Sequence, residues 1–231
     1  MGYIISSMDL VPNKKATSRW CFYLVHMSFG DKVKPYSIDW LRDRFSGTRA
    51  QAASTLYCDD ETLPDEAEQR LASVLVPVIM RNAPTVLFTV RASHLRQGAG
   101  QISFPGGRAE PDDPTPQHTA LRETFEEIGL PPERVEIIGR LAHYVTRNGH
   151  CIAPVIGLVH PPLTLRPNDD EVAEVFEVPL EYLLDHRNHL RHSQQSNDRL
   201  RHYFAIQYGD YYIRGVTAGL LVNLHRHLIG A

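Results

Sequence analysis

The sequence predicts an α/β domain in which a mixed β-sheet carries helices on both faces. Two observations indicate this class. Short apolar runs bounded by turn residues alternate with stretches in which apolar residues recur every three or four positions. The chain has 231 residues, of which 42% are hydrophobic, so it can bury one sizeable core. With no internal repeat or low-complexity tract, we expect a single domain.

The first predicted elements are a helix and a β-hairpin. Residues 37–45 have the apolar spacing of a short amphipathic helix. Residues 74–80 and 85–90 are apolar runs of strand length, and residues 81–84, with the sequence RNAP, separate them as a turn. These features predict two antiparallel strands that follow the helix.

An acidic helix follows, and both of its ends are marked. Thr115 is a candidate N-cap and Pro116 suits the first helical position. Gly129 suits the left-handed residue that ends a helix, and Pro131 and Pro132 prevent its continuation. One face is apolar and is expected to be buried, with Leu121, Phe125 and Ile128.

The middle of the chain predicts two more strands and a short helix. Residues 135–141 and 152–159 are apolar runs of strand length. Residues 179–186 begin with a proline, which suits the first turn of a helix. The residues expected to face inward in this helix are Leu180, Leu183 and Leu184.

The end of the chain predicts a second hairpin and a terminal helix. Residues 201–206 and 211–216 flank Gly209 and Asp210, which favour a tight turn. Thr217 is expected to cap the last helix. Its apolar residues recur with helical spacing, at Leu220, Leu221, Leu224 and Leu228.

The acidic helix carries the most informative chemistry in the sequence. Glu123, Glu126 and Glu127 are spaced i, i+3 and i+4, so they share one helix face, where their charges repel one another. Dense carboxylates suit hard divalent cations such as Mg²⁺ or Mn²⁺. The alternative is a solvated acidic face, which is the common explanation for an acidic run without further context.

Here the acidic helix follows a double glycine, Gly106 and Gly107. Residues 103–105, just before the glycines, have the pattern of a strand end that turns sharply. Together these features resemble the signature of the Nudix hydrolases, a strong motif over the window 107–130. The matching residues are Gly107, Asp113, Arg122, Glu123, Glu126, Glu127, Gly129 and Leu130. The resemblance implies the Nudix α/β/α sandwich.

The sequence departs from the common signature in two ways. Thr124 stands where an aliphatic residue is usual, and one extra residue lies between Gly107 and Arg122. The extra residue resembles the branch of coenzyme A diphosphatases, as does the stretch 86–107 that ends in FPGG. Gly98 departs from this branch, which often has histidine there.

Two later landmarks resemble the same branch, Asp169-Asp170-Glu171-Val172 and Thr217-Ala218-Gly219, so the resemblance covers roughly residues 70–230. Residues 1–26 match nothing in that branch. We therefore expect an N-terminal extension over 1–26 and a Nudix domain over 27–231 that begins near Met27. A signal peptide is not expected at the N-terminus, since no small-residue cleavage site follows the apolar residues there.

The resemblance implies roles for the acidic residues. Glu123, Glu126 and Glu127 would hold Mg²⁺ or Mn²⁺, and Arg122 would orient these glutamates rather than form an ordinary surface ion pair. The proton of the attacking water would pass to Glu126 or to Glu171. The alternative interpretation of Glu171 is a solvated acidic residue in a loop. Asp113 would bind the metal directly or through water, or would serve only as a turn or cap residue.

A phosphate-rich substrate would approach the residues that precede the acidic helix. Arg91 and Arg96 are candidates for phosphate binding, since guanidinium groups match phosphate geometry. Gly106 and Gly107 would allow close backbone approach. The alternative for the two arginines is that they simply face solvent at a strand end. The alternative for the two glycines is that they only form a tight turn.

Composition excludes several other classes. The formal net charge is −3 without a basic stripe, so we expect no nucleic-acid partner. No apolar stretch approaches membrane-spanning length. The three cysteines, Cys21, Cys58 and Cys151, lie far apart, which fits reduced thiols in the cytoplasm. The spacings His189-x-x-His192 and His225-x-His227 lack the partners of a zinc site.

Three functions from different classes are consistent with this sequence. The first is a metal-dependent diphosphatase that acts on coenzyme A or its thioesters. The second is the same chemistry on another nucleoside diphosphate conjugate, such as ADP-ribose or a dinucleotide. The third is a Nudix-like sensing or protein-binding domain without turnover, which should show eroded glutamates, whereas all three are present. We expect the first.

Overall fold

A computed structural model describes residues 36–46, 70–146, 149–196 and 199–229. The helices within these residues are α1 (Ile38–Arg44), α2 (Pro116–Ile128), α3 (Leu180–Leu184) and α4 (Val216–Ile229). The strands are β1 (Arg70–Ile79), β2 (Thr85–Arg91), β3 (Ile102–Ser103), β4 (Gly106–Arg108), β5 (Val135–Arg140), β6 (Tyr144–Val145), β7 (His150–Val159), β8 (Val172–Pro179), β9 (Leu190–Ser196), β10 (Arg199–Tyr208) and β11 (Tyr211–Arg214).

The larger sheet has eight strands and is mixed, as predicted. Its main path runs β3-β2-β1-β7-β5, while β4 pairs with β1, β6 with β7 and β8 with β2. Strands β1 and β7 are parallel over their whole length, and the other pairs are antiparallel. The short strand β4 therefore joins β1 directly and brings the double glycine to the sheet that supports α2.

A smaller sheet of three strands has the order β11-β10-β9. Its β10–β11 pair is the predicted late hairpin, with Tyr208 opposite Tyr211 across the turn at Gly209 and Asp210. Strand β9 was not predicted. Its residues 191–195 read RHSQQ, a polar stretch without the apolar alternation by which half-buried strands are recognised.

Two apolar cores lie on opposite faces of the larger sheet, because successive side chains of a strand point to opposite sides. In β1, Val76 and Val78 belong to the core that α1, α3 and α4 cover, whereas Leu75 and Ile79 belong to the core under α2. Helices on both faces of a mixed sheet confirm the predicted fold class.

Most predicted elements are present with shifted ends. Strand β1 begins before residue 74, and the 179–186 helix shortens to α3 with its three leucines buried. The cap assigned to Thr217 is wrong, because this residue lies inside α4, where its hydroxyl donates to the Ile102 carbonyl at 2.9 Å. The buried residues of α4 include all four predicted leucines.

Some expectations concern residues that the structure does not describe. The proposed extension over 1–26 and the domain start at Met27 lie outside the described residues. Of the three cysteines, only Cys151 is described, as a free and buried thiol. Within the described part of the chain, no helix combines the length and the hydropathy that a membrane crossing requires.

Candidate active site

Helix α2 has the two ends that the sequence predicts. The Thr115 hydroxyl accepts the His118 N–H at 3.3 Å, and Pro116 is the first helical residue. The helix ends at Gly129, which has φ 66° and donates its N–H to the Phe125 carbonyl at 2.8 Å. The frame of the acidic helix is thus fixed by local capping.

The buried face of α2 differs from the predicted one. The Phe125 side chain, expected to be buried, is 53% exposed. The buried residues are Thr119, Ala120, Thr124, Glu127 and Ile128. Of the three predicted residues, Ile128 is therefore buried as expected, and Leu121 packs partly buried against the same core. Thr124 can be buried because its hydroxyl donates to the Ala120 carbonyl at 2.6 Å, which leaves no unpaired polar group. The buried face is thus rotated relative to the predicted one, and it includes Glu127, whereas Glu126 is exposed.

The double glycine lets α2 approach the sheet closely. Gly106 has φ 152°, a backbone conformation that favours glycine, and a Cβ there would collide with the Ser73 carbonyl oxygen. A Cβ at Gly107 would collide with the Glu123 carboxylate. The space that a side chain would fill at Gly107 is therefore occupied by a carboxylate of the acidic helix.

Glu127 is a buried carboxylate. Its residue is 4% exposed, and its Oε2 accepts the Gly106 N–H at 3.3 Å. Burial raises its pKa to about 8, and the Gly106 N–H and the charge of Arg91 only partly oppose this shift. A carboxylate buried in this way is stabilised most by a cation.

Arg122 connects the acidic residues around it. Its Nη1 donates to Glu123 at 3.0 Å and to Glu126 at 3.3 Å. Its Nη2 donates to the Arg108 carbonyl at 3.0 Å, which ties the helix to β4. These contacts are the ones that an orienting role for Arg122 requires.

Asp113 is also held by Arg122, through Nε at 3.2 Å and Nη2 at 2.9 Å, and it accepts the Glu110 N–H at 2.9 Å. The hydrogen bond from Arg122 lowers the pKa of Asp113 well below its usual range, and the same bond raises the pKa of Arg122. Of the two roles expected for Asp113, these contacts favour a turn residue that holds Arg122 in place.

Glu171 reaches the acidic helix from a separate loop. The loop before β8 crosses the end of α2, where Arg166 N–H donates to the Ile128 carbonyl at 2.8 Å and Asn168 N–H to the Glu127 carbonyl at 2.9 Å. Burial raises the pKa of Glu123 and of Glu127, and repulsion from Glu171 adds to both shifts. The Glu171 charge therefore acts on both glutamates.

The four carboxylates Glu123, Glu126, Glu127 and Glu171 have the chemistry that suits Mg²⁺ or Mn²⁺, because all their donors are hard oxygens. In the described residues, no three metal-binding side chains already converge into a coordination group. The carboxylates are held instead by hydrogen bonds, to Arg122 for Glu123 and Glu126 and to Gly106 for Glu127. The Glu123 carboxylate, which fills the space beside Gly107, and the buried carboxyl group of Glu127 fit a cation that replaces these hydrogen bonds.

The expected phosphate-binding arginines lie in different settings. Arg91 ends β2, is half-buried and is close enough to favour the charged form of Glu127 by lowering its pKa. A Cβ at Gly98 would meet the Arg91 Nε at 3.3 Å, so a larger residue would crowd this guanidinium. Arg96 is exposed in the loop before β3. The structure thus brings Arg91, Gly106 and Gly107 to the acidic cluster, and shows no such contact for Arg96 in the described part of the chain.

Two residues at the site were missed by the sequence analysis. Asn168 and His94 hold the turn that carries Glu171, since Asn168 Oδ1 accepts the Asp170 N–H at 3.1 Å and His94 Nε2 lies 3.0 Å from the Asp170 carbonyl. The Asn-Asp-Asp run at residues 168–170 is typical of a turn stabilised by a side chain, so the sequence could have indicated Asn168.

Three of the four histidines in the two spacings considered for zinc bond to backbone carbonyls. His189 Nε2 lies 2.7 Å from the Leu183 carbonyl, and His225 Nδ1 lies 2.7 Å from the Leu184 carbonyl. His227 Nε2 lies 3.0 Å from the Arg44 carbonyl, and its ring stacks on Phe45. These contacts join α3, α4 and α1, which supports a packing role.

Comparisons with known proteins identify the family of this chain. A family model described as NUDIX domain matches residues 69–198. The chain is similar to proteins named Uncharacterized Nudix hydrolase NudL from Yersinia pestis and Yersinia pseudotuberculosis, each 41% identical over 161 residues that make up 68% of this chain and 79% of the relative. Among solved structures, it is similar to the MutT protein from Methanosarcina mazei Go1, which is 19% identical, with a TM-score of 0.40, over 52% of this chain and 84% of that one.

Proposed function

Because this chain belongs to the Nudix hydrolase family, we propose that it hydrolyses the diphosphate bond of coenzyme A or its derivatives with the aid of Mg²⁺ or Mn²⁺. At the coarser level, the chain is a Nudix hydrolase of substrates that contain a diphosphate linkage. The products of the proposed reaction are 4′-phosphopantetheine, or its acyl form, and adenosine 3′,5′-bisphosphate.

The observation that supports catalysis best is the acidic face of α2, in which Glu127 is buried. Repulsion and burial make this arrangement costly in a protein that does not use it. Glu123, Glu126 and Glu127 would hold the divalent cation, which neutralises the phosphate oxygens when bound. Arg122, fixed by Asp113, would keep Glu123 and Glu126 turned toward the site.

The chemical step requires a base for one proton. A water oxygen bonds to one phosphorus while the bridging P–O bond breaks, and the proton of the water passes to a carboxylate. Glu126 and Glu171 are the candidates. Both are exposed, and both face the acidic cluster, so each can reach solvent water.

Coenzyme A is favoured by features of the sequence outside the glutamates. These are the extra residue before Arg122, the stretch 86–107, and the landmarks at 169–172 and 217–219. The 3′-phosphate of coenzyme A adds negative charge, and Arg91 beside the acidic cluster is a suitable partner. Arg96, Gly106 and Gly107 complete the proposed substrate-binding set.

The second candidate is another nucleoside diphosphate conjugate, such as ADP-ribose or a dinucleotide. Gly98 favours it, because the coenzyme A branch often has histidine at this position and any contact of that histidine with substrate would be missing. The metal chemistry of the acidic face is the same for both candidates.

A substrate panel with identification of the products by mass tests this proposal. Coenzyme A should have a higher kcat/KM than ADP-ribose and dinucleotides. A clearly higher kcat/KM for ADP-ribose or a dinucleotide would contradict the coenzyme A assignment and leave the diphosphatase assignment intact.

The contribution of the 3′-phosphate is tested with 3′-dephospho-coenzyme A, which should be the poorer substrate. Arg91→Ala should narrow the difference between the two substrates. Arg214→Ala, at an exposed arginine of the smaller sheet, is the control and should leave the ratio unchanged. An unchanged ratio in Arg91→Ala would contradict the role of Arg91.

A further inference from the structure

The carboxylates considered for catalysis come from two separate elements, and Asn168 is bonded to both. Helix α2 supplies Glu127, and the turn before β8 supplies Glu171. The backbone N–H of Asn168 donates to the Glu127 carbonyl at 2.9 Å, at the end of the helix where such carbonyls lack helical partners. This bond fixes the start of the turn to the acidic helix.

The same residue also shapes the turn itself. The Asn168 carbonyl accepts the N–H groups of Glu171 at 2.9 Å and of Val172 at 2.8 Å. Its side-chain Oδ1 accepts the Asp170 N–H at 3.1 Å, an arrangement in which an asparagine side chain stabilises the turn that follows it. The turn is therefore held by three hydrogen bonds to Asn168.

The far side of this turn is fixed to the sheet. The Ala92 N–H donates to the Glu171 carbonyl at 2.8 Å, just after β2 ends, and β8 begins at Val172 and pairs with β2. His94 Nε2 lies 3.0 Å from the Asp170 carbonyl. Glu171 is thus held between the sheet and Asn168, while its own carboxylate remains exposed.

We propose that Asn168 is a positioning residue that sets the Glu171 carboxylate relative to Glu127 and the acidic face of α2. The inference rests on the proposed function, because it concerns a residue of the same hydrolytic site. The bonds of Asn168 go to backbone groups of α2 and of the turn, so its effect on the reaction would pass through Glu171. Small displacements of a catalytic group lower turnover far more than they lower stability, so the role has a measurable signature.

The proposal is tested by combining variants at both positions. Asn168→Ala removes the side-chain acceptor, whereas Asn168→Asp retains an oxygen at the same place. We expect Asn168→Ala to lower kcat by about tenfold with little change in KM. Asn168→Asp should retain most of the wild-type kcat. Asn188→Ala is the matched control, because it removes a 2.8 Å bond from a side chain to the Tyr182 carbonyl in another turn. It should leave kcat unchanged.

The decisive comparison is made in the Glu171→Gln background. If Asn168 acts through Glu171, Asn168→Ala should have almost no further effect on kcat once Glu171 is replaced. An equal loss in both backgrounds, or full activity of Glu171→Gln alongside a loss in Asn168→Ala, would overturn the proposal. The kinetics use whichever diphosphate substrate of the panel is turned over fastest, so a wrong coenzyme A assignment does not affect the result.

Hydrogen exchange provides a measurement that is independent of turnover. The amides of Asp170, Glu171 and Val172 should exchange faster in Asn168→Ala than in the wild type, while those of α4 should be unchanged. Unchanged exchange at these three amides would contradict the proposed hold on the turn, even in a protein for which no substrate of the panel is hydrolysed.

Discussion

Helices α2 and α4 are nearly equal in length and cover opposite faces of the larger sheet, yet they bury different chemistry. Most of the buried residues of α4 are apolar, with leucines along its length. The buried face of α2 contains two threonines and Glu127. An apolar face contributes stability, whereas a buried carboxylate reduces it. The difference indicates that α4 serves the fold and that α2 serves the site.

The largest expected effect is on catalysis by α2. Glu127→Gln keeps the shape of the side chain and removes its charge, so turnover should fall by about a hundredfold or more while the protein stays folded. Glu126→Gln should behave in the same way. The control is Glu133→Gln, at an exposed carboxylate just after the helix, and it should retain full activity. Full activity of Glu127→Gln would contradict the assignment of α2 to the catalytic site.

A substitution at a buried residue of α4 should lower stability rather than turnover. Leu221 is completely buried, so Leu221→Ala should reduce the free energy of unfolding by about 2–5 kcal/mol. The kcat of the folded fraction should be close to that of the wild type. Ile229→Ala, at an exposed residue near the end of the same helix, is the control and should cost far less. Urea denaturation measures both variants, and equal losses would contradict the assignment of α4 to the core.

The Asp113–Arg122 pair predicts a pH dependence. The hydrogen bond from Arg122 lowers the pKa of Asp113, so the pair stabilises the fold while Asp113 is charged, above the ordinary aspartate pKa of about 3.9. Asp113→Asn should therefore reduce the unfolding free energy by about 1–3 kcal/mol at pH 7. The difference from the wild type should shrink as the pH falls below about 4.

Urea denaturation at several pH values between 7 and 3 measures this dependence. Asp112→Asn is the control, because Asp112 is an exposed neighbour. A difference between wild type and Asp113→Asn that stayed constant down to pH 3 would contradict a charged pair.

The smallest expected effect concerns the exposed side of α2. Phe125 is 53% exposed, so Phe125→Ala should change the free energy of unfolding by no more than about 0.5–1 kcal/mol. The apolar face predicted from the sequence would instead make this change as costly as Leu221→Ala. Thermal unfolding of the two variants side by side distinguishes these outcomes, and equal destabilisation would contradict the observed rotation of α2.

These two helices also show what could be predicted from the sequence. The ends of α2 depend on local chemistry at Thr115, Pro116 and Gly129, so they were predicted correctly. The rotation of α2 was not, because it depends on Gly107, which leaves space for the Glu123 carboxylate, and on the hydroxyl bond of Thr124. Such contacts between distant or polar residues leave no trace in apolar periodicity.

The candidate site was predicted to a similar degree. The glutamates of α2 and Glu171 were named from motifs, and in the structure the charge of Glu171 raises the pKa of both Glu123 and Glu127, while their shared role at a metal stays a prediction. Asn168 was missed although its bonds to Asp170, Glu171 and Val172 are local, because only its bond to the Glu127 carbonyl, which depends on the fold, links this turn to the site. Arg96 was named from its sequence neighbourhood, but its loop leaves it exposed.

We infer that the buried carboxyl group of Glu127 is retained in α2 to bind a divalent cation. Thermal unfolding with and without Mn²⁺ tests it most directly, because a ligand that binds only the folded state raises the Tm. Without metal, Glu127→Gln should unfold at a temperature no lower than the wild type, since burial already disfavours the charged form of the Glu127 carboxyl and a neutral amide replaces it. Added Mn²⁺ should raise the Tm of the wild type and of Glu133→Gln, with a much smaller shift in Glu127→Gln. An equal Mn²⁺ shift in all three proteins, or a lower metal-free Tm for Glu127→Gln, would contradict the claim.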